Sequence, residues 1–424
     1  MSRRFREDVQ VAPEIETIVH NTLTGNSKGV NVKAKDNEGA FILGWPKELL
    51  ARGYISFEPV HAVVEGALPP RTSATETRKD IDLFYQRLHD VLAPHGLRPG
   101  LPSILGPDEE FEFYDDVERY ILFEHLLKEG WITQGEQVST HINVSMSHTD
   151  SDRARNQFNL GIAASPVLHA LCASTPLYKG TLFGESHRTW LMEEEVYKRY
   201  PQGAEIPAYV TDLNEYYESV REMTKHKIEK MRKGAREAGV SEDIINTIDF
   251  ENEIQKTGGV VRVRGEGESF RFEDRGPDHT KKDIVVGVSA LTLGLQRHNI
   301  PVYAGAGERF YDGTAFRTPD MNTIRYLNKS NGFNGIRLLP LQVYARAMLK
   351  AARNGLSKEE AHDLEIIEEI IETGRTLSYQ IKQDVTNISE KGRVMQEHIP
   401  ELANNIAGYI GAKPVKKEEL AHVA

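Results

Sequence analysis

Residues 270–278, Phe-Arg-Phe-Glu-Asp-Arg-Gly-Pro-Asp, open with alternating aromatic and charged side chains. A period of two is strand geometry, because successive side chains point to opposite faces of a sheet. Phe270 and Phe272 then share one face, and Arg271, Glu273 and Arg275 share the other. The aromatic face can pack on a core. The other face sets a carboxylate between two guanidiniums, which costs heavily in desolvation unless a bound metal ion or phosphate uses the charges. The plain alternative is an exposed strand carrying a charge ladder.

Other segments repeat the pattern. Residues 9–19 read as a strand with Glu14 and Glu16 on one face and Ile15 on the other. Residues 25–29 form a turn signal, and residues 30–33 a returning strand. In residues 54–68, His61 and Glu65 share a face, whereas Glu58 has the opposite parity unless a bulge near Pro59 resets it. Residues 137–147 place Ile142 and Val144 on one face and His141, Asn143 and Ser145 on the other, as in a strand lining a polar cavity. Residues 260–264 put Arg262 and Arg264 on one face, and Gly265 to Gly267 join them to the opening segment as a hairpin.

Between these strands the period shifts to that of a helix. Residues 75–92 carry the stripe Ile81, Phe84, Tyr85, Leu88 and Leu92. Helices are also expected at 117–129, 152–173, 211–238, 240–254 and 283–297, and most of 335–420 reads as helical and amphipathic. Residues 106–116 are strongly acidic and read as a solvated loop. The glycines at 304–307 make a weak phosphate motif, lacking the Lys-Ser/Thr ending. The predicted class is therefore α+β, an antiparallel sheet flanked by helices with a helical C-terminal region.

Composition narrows the functions. A net charge of −11 argues against nucleic acid held by bulk electrostatics. No stretch reaches the length of a membrane span, and the start MSRRFREDVQ lacks the apolar run of a secretory signal. With Cys172 the only cysteine, no intrachain disulfide and no cysteine-based zinc site can form, and a cytoplasmic location is expected.

Four strand regions thus offer carboxylates, a histidine and arginines. Carboxylates from different strands suit hard divalent cations, and magnesium is commonly shared between carboxylates and nucleotide phosphates. Arginines beside them suit phosphoryl groups. Together they describe phosphoryl transfer from a metal-bound nucleotide.

The order of these motifs resembles the superfamily of glutamine synthetases and glutamate–cysteine ligases. Arg-Phe-Glu-Asp-Arg, residues 271–275, is similar to a late metal-and-arginine strand of glutamine synthetases, and Val-Arg-Val-Arg, 261–264, to the arginine strand before it. Pro-Glu-Ile-Glu-Thr, 13–17, resembles the first Glu-x-Glu metal strand. Phe-Glu-Pro-Val-His-Ala-Val-Val-Glu, 57–65, resembles the second paired-glutamate strand. Thr-His-Ile-Asn-Val-Ser, 140–145, resembles the histidine strand near the phosphates. Ala-Ser-Thr-Pro-Leu-Tyr-Lys-Gly, 173–180, followed by Ser-His-Arg, 186–188, looks like the carboxylate–amine ligase branch related to glutamate–cysteine ligase. The absence of room before Glu14 for the small N-terminal domain of glutamine synthetases favours that branch.

The resemblance implies a sheet curved into a funnel, with ATP at the wide end and Mg2+ or Mn2+ at the waist. It implies Glu14, Glu16, Glu58, Glu65 and Glu273 as metal ligands. His141 would contact metal or phosphate, Asn143 would bind ATP or substrate, Arg262 and Arg275 would stabilise the transferring phosphoryl, and Arg264 or Arg271 would hold ATP or a substrate carboxylate. Arg188 is the candidate for the substrate carboxylate. The implied reaction activates a carboxylate, glutamate or another amino acid, as an acyl phosphate and joins it to an amine. Residues 1–300 would form the catalytic domain and 301–424 an extension packed on it, with self-assembly through the helical tail an option. The rival readings are a guanidino-type phosphotransferase, which shares a related funnel, and a non-catalytic scaffold.

Overall fold

The computed structural model describes residues 9–22, 55–57, 60, 62–100, 106, 137–192, 205–304, 310–390 and 393–410. The expected hairpin return at 25–33, nearly all of the acidic segment 106–116, the helix at 117–129, Glu58, His61, the glycines at 305–307 and residues 411–420 lie outside them.

The alternating segments build one seven-stranded sheet. Its members are β1 (Val11–Asn21), β2 (Ile55–Phe57), β3 (Val63–Ala67), β4 (Leu97–Gly100) and β5 (Thr140–Ser145). A short hairpin, β6 (Leu177–Tyr178) and β7 (Thr181–Leu182), intervenes before β8 (Val261–Arg264) and β9 (Arg271–Asp274) complete the sheet. The order is β2-β3-β1-β5-β9-β8, with β4 also paired to β1, and every pairing is antiparallel. Further along, β10 (Val302–Ala304) pairs with β11 (Phe316–Thr318) in parallel, and β12 (Ser389–Glu390) and β13 (Arg393–Val394) extend the β6–β7 hairpin.

Alternation decides what the sheet buries. Val11, Ile15, Val19, Val64, Ile142, Val144, Val261 and Phe272 enter one continuous hydrophobic core. Fully burying Phe272 alone contributes on the order of 2–3 kcal/mol. The helices are α1 (Ala74–Leu92), α2 (Ser151–Leu171), the short α3 (His187–Leu191), α4 (Leu213–Glu237), α5 (Glu242–Ile245), α6 (Phe250–Ile254), α7 (Lys282–His298), α8 (Met321–Asn334), α9 (Leu339–Asn354), α10 (Glu365–Thr373), α11 (Leu377–Ile388) and α12 (Ile399–Tyr409). Most of them supply the rest of that core, whereas the later part of α4 packs with α5 in a separate cluster through Ile228, Met231, Ala235 and Ile245.

The helices begin and end where local chemistry dictates. Ser73 caps α1 by accepting from the Glu76 amide, and Gly96, left-handed at φ 67°, follows the short turn that ends it. The stripe Ile81, Phe84, Tyr85, Leu88 and Leu92 is buried as its spacing requires. Asp150 caps α2, and α2 is buried on nearly every side from Gln157 to Leu171, as a helix lodged beneath a sheet must be. The helix read at 240–254 is two short helices, because Asp249 caps a second start by accepting from the Asn252 amide. Among the elements the sequence does not reveal are β4 and α8. β4 contains Pro99 and Gly100, which carry no strand signal. α8 carries four Asn, with one Ser and one Gly, and is held instead by its Asp320 cap and by buried Ile324 and Leu327.

The approach of α2 to the sheet requires a glycine. A Cβ built at Gly161 would stand 2.9 Å from the Phe272 ring, tighter than any relaxed contact. Gly161→Ala is therefore expected to destabilise the fold by about 1–3 kcal/mol, read as a lowered midpoint in thermal melts; an unchanged midpoint would contradict the packing described.

Two core histidines make stability pH-dependent. Burial lowers His279 to about 3 and His187 to about 4. His279 bonds the Tyr85 hydroxyl, and His187 stacks on Tyr178 with centroids 4.1 Å apart. Both folded values lie below the free value near 6.5, so on acidification the unfolded chain takes up protons first. The stability they contribute is full above pH 6.5 and is lost as pH falls toward 4. Each group is expected to cost on the order of 2 kcal/mol between pH 6.5 and 5. Melting temperatures measured across that window should fall steadily; a flat profile would refute the neutral burial.

Candidate active site

The strand register places the charged residues on the sheet face opposite the core. Glu14 of β1 stands opposite His141 of β5, and Glu16 opposite Glu65 of β3. Asn143 of β5 stands opposite Glu273 of β9, which in turn faces Arg262 of β8. Arg271 faces Arg264 across the same hairpin. Carboxylates thus occupy the β3–β1 side, the imidazole the middle and guanidiniums the β9–β8 side.

Two of these juxtapositions break the rule for sheets. Like charges directly opposite one another are destabilising, yet Glu16 opposes Glu65 and Arg264 opposes Arg271. Violations of local preference concentrate where a bound group compensates them.

His141 is the hub of the acidic side. Its Nδ1 lies 2.9 Å from Glu14 Oε2, 4.0 Å from Glu65 Oε2 and 3.6 Å from Glu273 Oε1, and its Nε2 lies 3.3 Å from Glu16 Oε1. Ser139 donates from its amide and hydroxyl to Glu16 Oε2 at 2.7 and 2.5 Å. Burial disfavours the charge on His141, but Glu16, with hydrogen bonds to Glu14 and Glu16, overrides it and raises the imidazole to about 10. For Glu16, burial acts upward and is outweighed by His141 and Ser139, which bring the carboxyl down to about 2.

Glu273 is the hub of the basic side. Arg262 donates to both of its oxygens, at 2.9 and 3.1 Å. Arg264 approaches Oε2 at 3.4 Å and Arg275 approaches Oε1 at 3.5 Å. Burial pushes the Glu273 carboxyl up, but Arg262, Arg275, His141 and Arg264 together hold it well below the ordinary range. Burial lowers Arg262 to about 10 despite the Glu273 charge, with Arg275 and Arg264 adding to the fall. Arg271 donates from Nε to Asn143 Oδ1 at 2.8 Å and from Nη1 to the Ser269 carbonyl at 3.1 Å. The Arg275 side chain is 37% exposed, more open than Arg262 at 7% and Arg264 at 26%, so it has more freedom than they do to swing toward a ligand.

The donor set fits a divalent cation. One ligand atom each from Glu14, Glu65 and His141 lie within 4.8 Å of one another, with Glu16 adjoining through His141. Carboxylate oxygens with a single imidazole suit Mg2+ or Mn2+. Glu273 faces guanidiniums with both oxygens and is not part of that ligand group.

Arg188 is the residue expected to meet a substrate carboxylate. It is buried in α3, and Nη1 and Nη2 donate to the main-chain carbonyls of Gly276 and Arg275 at 2.6 and 2.7 Å. Around it lies a polar network that sequence reasoning did not find. Asp278, raised by burial, accepts from the Ser174 amide and the hydroxyls of Thr175 and Ser186. On the core side of β9, Asp274 contacts His169 of α2 at 2.9 Å, and His169 contacts Asn328 of α8 at 2.6 Å. Asp274 has the parity of Phe272, so alternation alone assigns it to the core; its partner lies 105 positions away.

Comparison with known proteins adds the following. The profile of Glutamate-cysteine ligase family 2 (GCS2) matches residues 35–404. No curated protein matches the chain. Among solved structures, a glutamate–cysteine ligase from Francisella tularensis in complex with AMP superposes with a TM-score of 0.63 at 11% identity, covering 100% of this chain and 93% of that one. A bifunctional glutathione synthetase from Pasteurella multocida superposes with a TM-score of 0.58 at 13% identity, covering 95% of this chain and 52% of that one. These similarities establish a shared fold. Among the described residues no helix is long and apolar enough to cross a membrane.

Proposed function

The chain belongs to Glutamate-cysteine ligase family 2, and on that premise we propose that it is an ATP-dependent ligase that activates an amino-acid carboxylate as an acyl phosphate and joins it to an amine. The observation that carries this reading is the separation of charge on one sheet face: opposed carboxylates on β1 and β3, opposed arginines on β8 and β9, and His141 between them. A cation settles the first opposition and an anion the second, so the face is matched to a metal-bound polyphosphate.

In this reading Glu14, Glu65 and His141, with Glu16, hold the divalent ion. The ion supplies neutralisation of phosphate oxygens when bound. A carboxylate oxygen of the acid attacks the γ-phosphorus and ADP leaves. Arg262 and Arg275 offset the charge on the moving phosphoryl, and Glu273 holds their guanidiniums in place beforehand, which is where electrostatic catalysis gains most. Asn143 and Arg271, already bonded to each other, bind ATP or substrate, as does Arg264. The amine then attacks the acyl carbon and phosphate departs. Water must be excluded meanwhile, because it competes with the amine.

The finer features belong to the same proposal: a funnel-shaped sheet with ATP at its wide end, Glu58 as a further metal ligand, and a division into a catalytic unit, residues 1–300, and an extension, residues 301–424. The acid, the amine and ATP are its partners. The test is ADP release by the protein with Mg2+-ATP and a panel of amino acids and amines. Release that requires both an acid and an amine is expected. Release with a stable phosphorylated guanidino compound as product would instead support phosphotransfer, and no release with any pair would count against catalysis.

A further inference from the structure

We propose that Arg188 is a positioning residue: it clasps the backbone of the Arg275–Gly276 turn and thereby sets where the Arg275 guanidinium stands. The proposal rests on the ligase reading for what Arg275 does, but the clasp itself is a matter of geometry.

A buried guanidinium needs acceptors, and Arg188 spends both terminal nitrogens on the carbonyls of residues 275 and 276. These carbonyls lie just past the end of β9, where the Arg275 amide still donates to the Val260 carbonyl at 2.9 Å. The main chain at Arg275 is thus held at its amide by Val260 and at its carbonyl by the Arg188 side chain, and the Arg275 side chain continues the polar face beside Glu273. A residue that bound a substrate carboxylate would present those same nitrogens to the cavity.

The clasp is itself anchored. The Arg188 amide donates to Thr175 Oγ1, and that hydroxyl donates to Asp278, three residues beyond Arg275. Asp278 also accepts from Ser186, the cap of the helix that carries Arg188. From below, the Gly276 amide donates to Asp274 Oδ1 at 3.0 Å, and a Cβ at Gly276 would overlap the His169 ring. The turn therefore has no slack on either side. The next residues pass the constraint on: the Pro277 carbonyl accepts from the Thr140 amide at 3.0 Å, one residue from Ser139, which holds Glu16. The segment 174–188 and the turn 275–278 thus form one rigid unit behind the phosphoryl-facing arginine.

Lysine at 188 keeps the charge but cannot donate to two carbonyls in the same fork. In the full-length protein, Arg188→Lys is expected to speed amide exchange in peptides covering residues 274–280 while leaving β1 peptides unchanged. In acid-dependent ADP release it should lower kcat by about 10²-fold, the scale for a misplacement near 1 Å, with KM for the acid unchanged. Combined with Arg275→Ala it should cause no loss beyond that of Arg275→Ala alone, because both act through one guanidinium. Thr175→Val should reproduce the pattern in milder form and serves if Arg188→Lys does not fold. Unchanged exchange at 274–280, a raised KM for the acid with kcat retained, or losses that multiply in the double variant would each overturn the clasp. Wild-type protein without ADP release would remove the ligase reading, and the exchange measurement would still decide the clasp.

Discussion

Glu273→Gln is expected to lower acid-dependent ADP release by about 10³-fold or more, the scale for losing a preorganised electrostatic group. The cause lies in what Glu273 organises. Its two oxygens hold Arg262 bidentately and draw in Arg264 and Arg275. An amide of the same shape accepts from one side only and carries no charge, so the guanidiniums repel one another and spread. The same loss leaves buried positive charge unpaired, which costs about 3–5 kcal/mol of stability. The variant should therefore melt lower than the wild type, and activity must be read per folded molecule, with ellipticity recorded alongside. Turnover within a few-fold of the wild type would contradict the assignment of Glu273 to the reaction.

Glu65→Gln is expected to do the opposite to the metal-free protein. Glu65 stands opposite Glu16, so removing its charge relieves a like-charge pair and should leave the metal-free melting temperature unchanged or raised. Its effect should appear on adding cation. A divalent ion at 100 times its Kd stabilises the wild type by about 2.7 kcal/mol, seen as an upward thermal shift with Mg2+ or Mn2+. In Glu65→Gln that shift should largely vanish, and ADP release with it. The two variants thus separate the halves of the site, one losing stability without metal and the other losing the response to metal, and the activity that needs it, without losing stability. A full thermal shift in Glu65→Gln would place the cation elsewhere.

Alternation made much of this site legible from residues alone. Glu14, Glu16, Glu65, His141, Asn143, Arg262, Arg264, Arg271 and Glu273 share a face because period two leaves a strand no other choice once its apolar residues turn to the core. The hairpin of β8 and β9 followed from Gly265 and Gly267, both left-handed in the structure at φ 72° and 51°. Arg188 was not legible, because its acceptors are main-chain carbonyls, which have no signature in sequence, and because α3 is too short to show a period. The pair of Asp274 with His169 was hidden for a related reason: a carboxylate on a core-facing position looks like a breach of pattern until its distant partner is in place. Glu58, with its uncertain parity, lies outside the described residues.

The most direct test of an acyl phosphate follows oxygen. Amino acids labelled with 18O in the carboxylate, glutamate first, are incubated with the protein, Mg2+-ATP and amines, and the released phosphate is weighed by mass spectrometry. If the acid attacks the γ-phosphorus, one labelled oxygen passes to each phosphate released as the amide forms. Amide accompanied by unlabelled phosphate would contradict the account, because the carboxylate would then never have been phosphorylated.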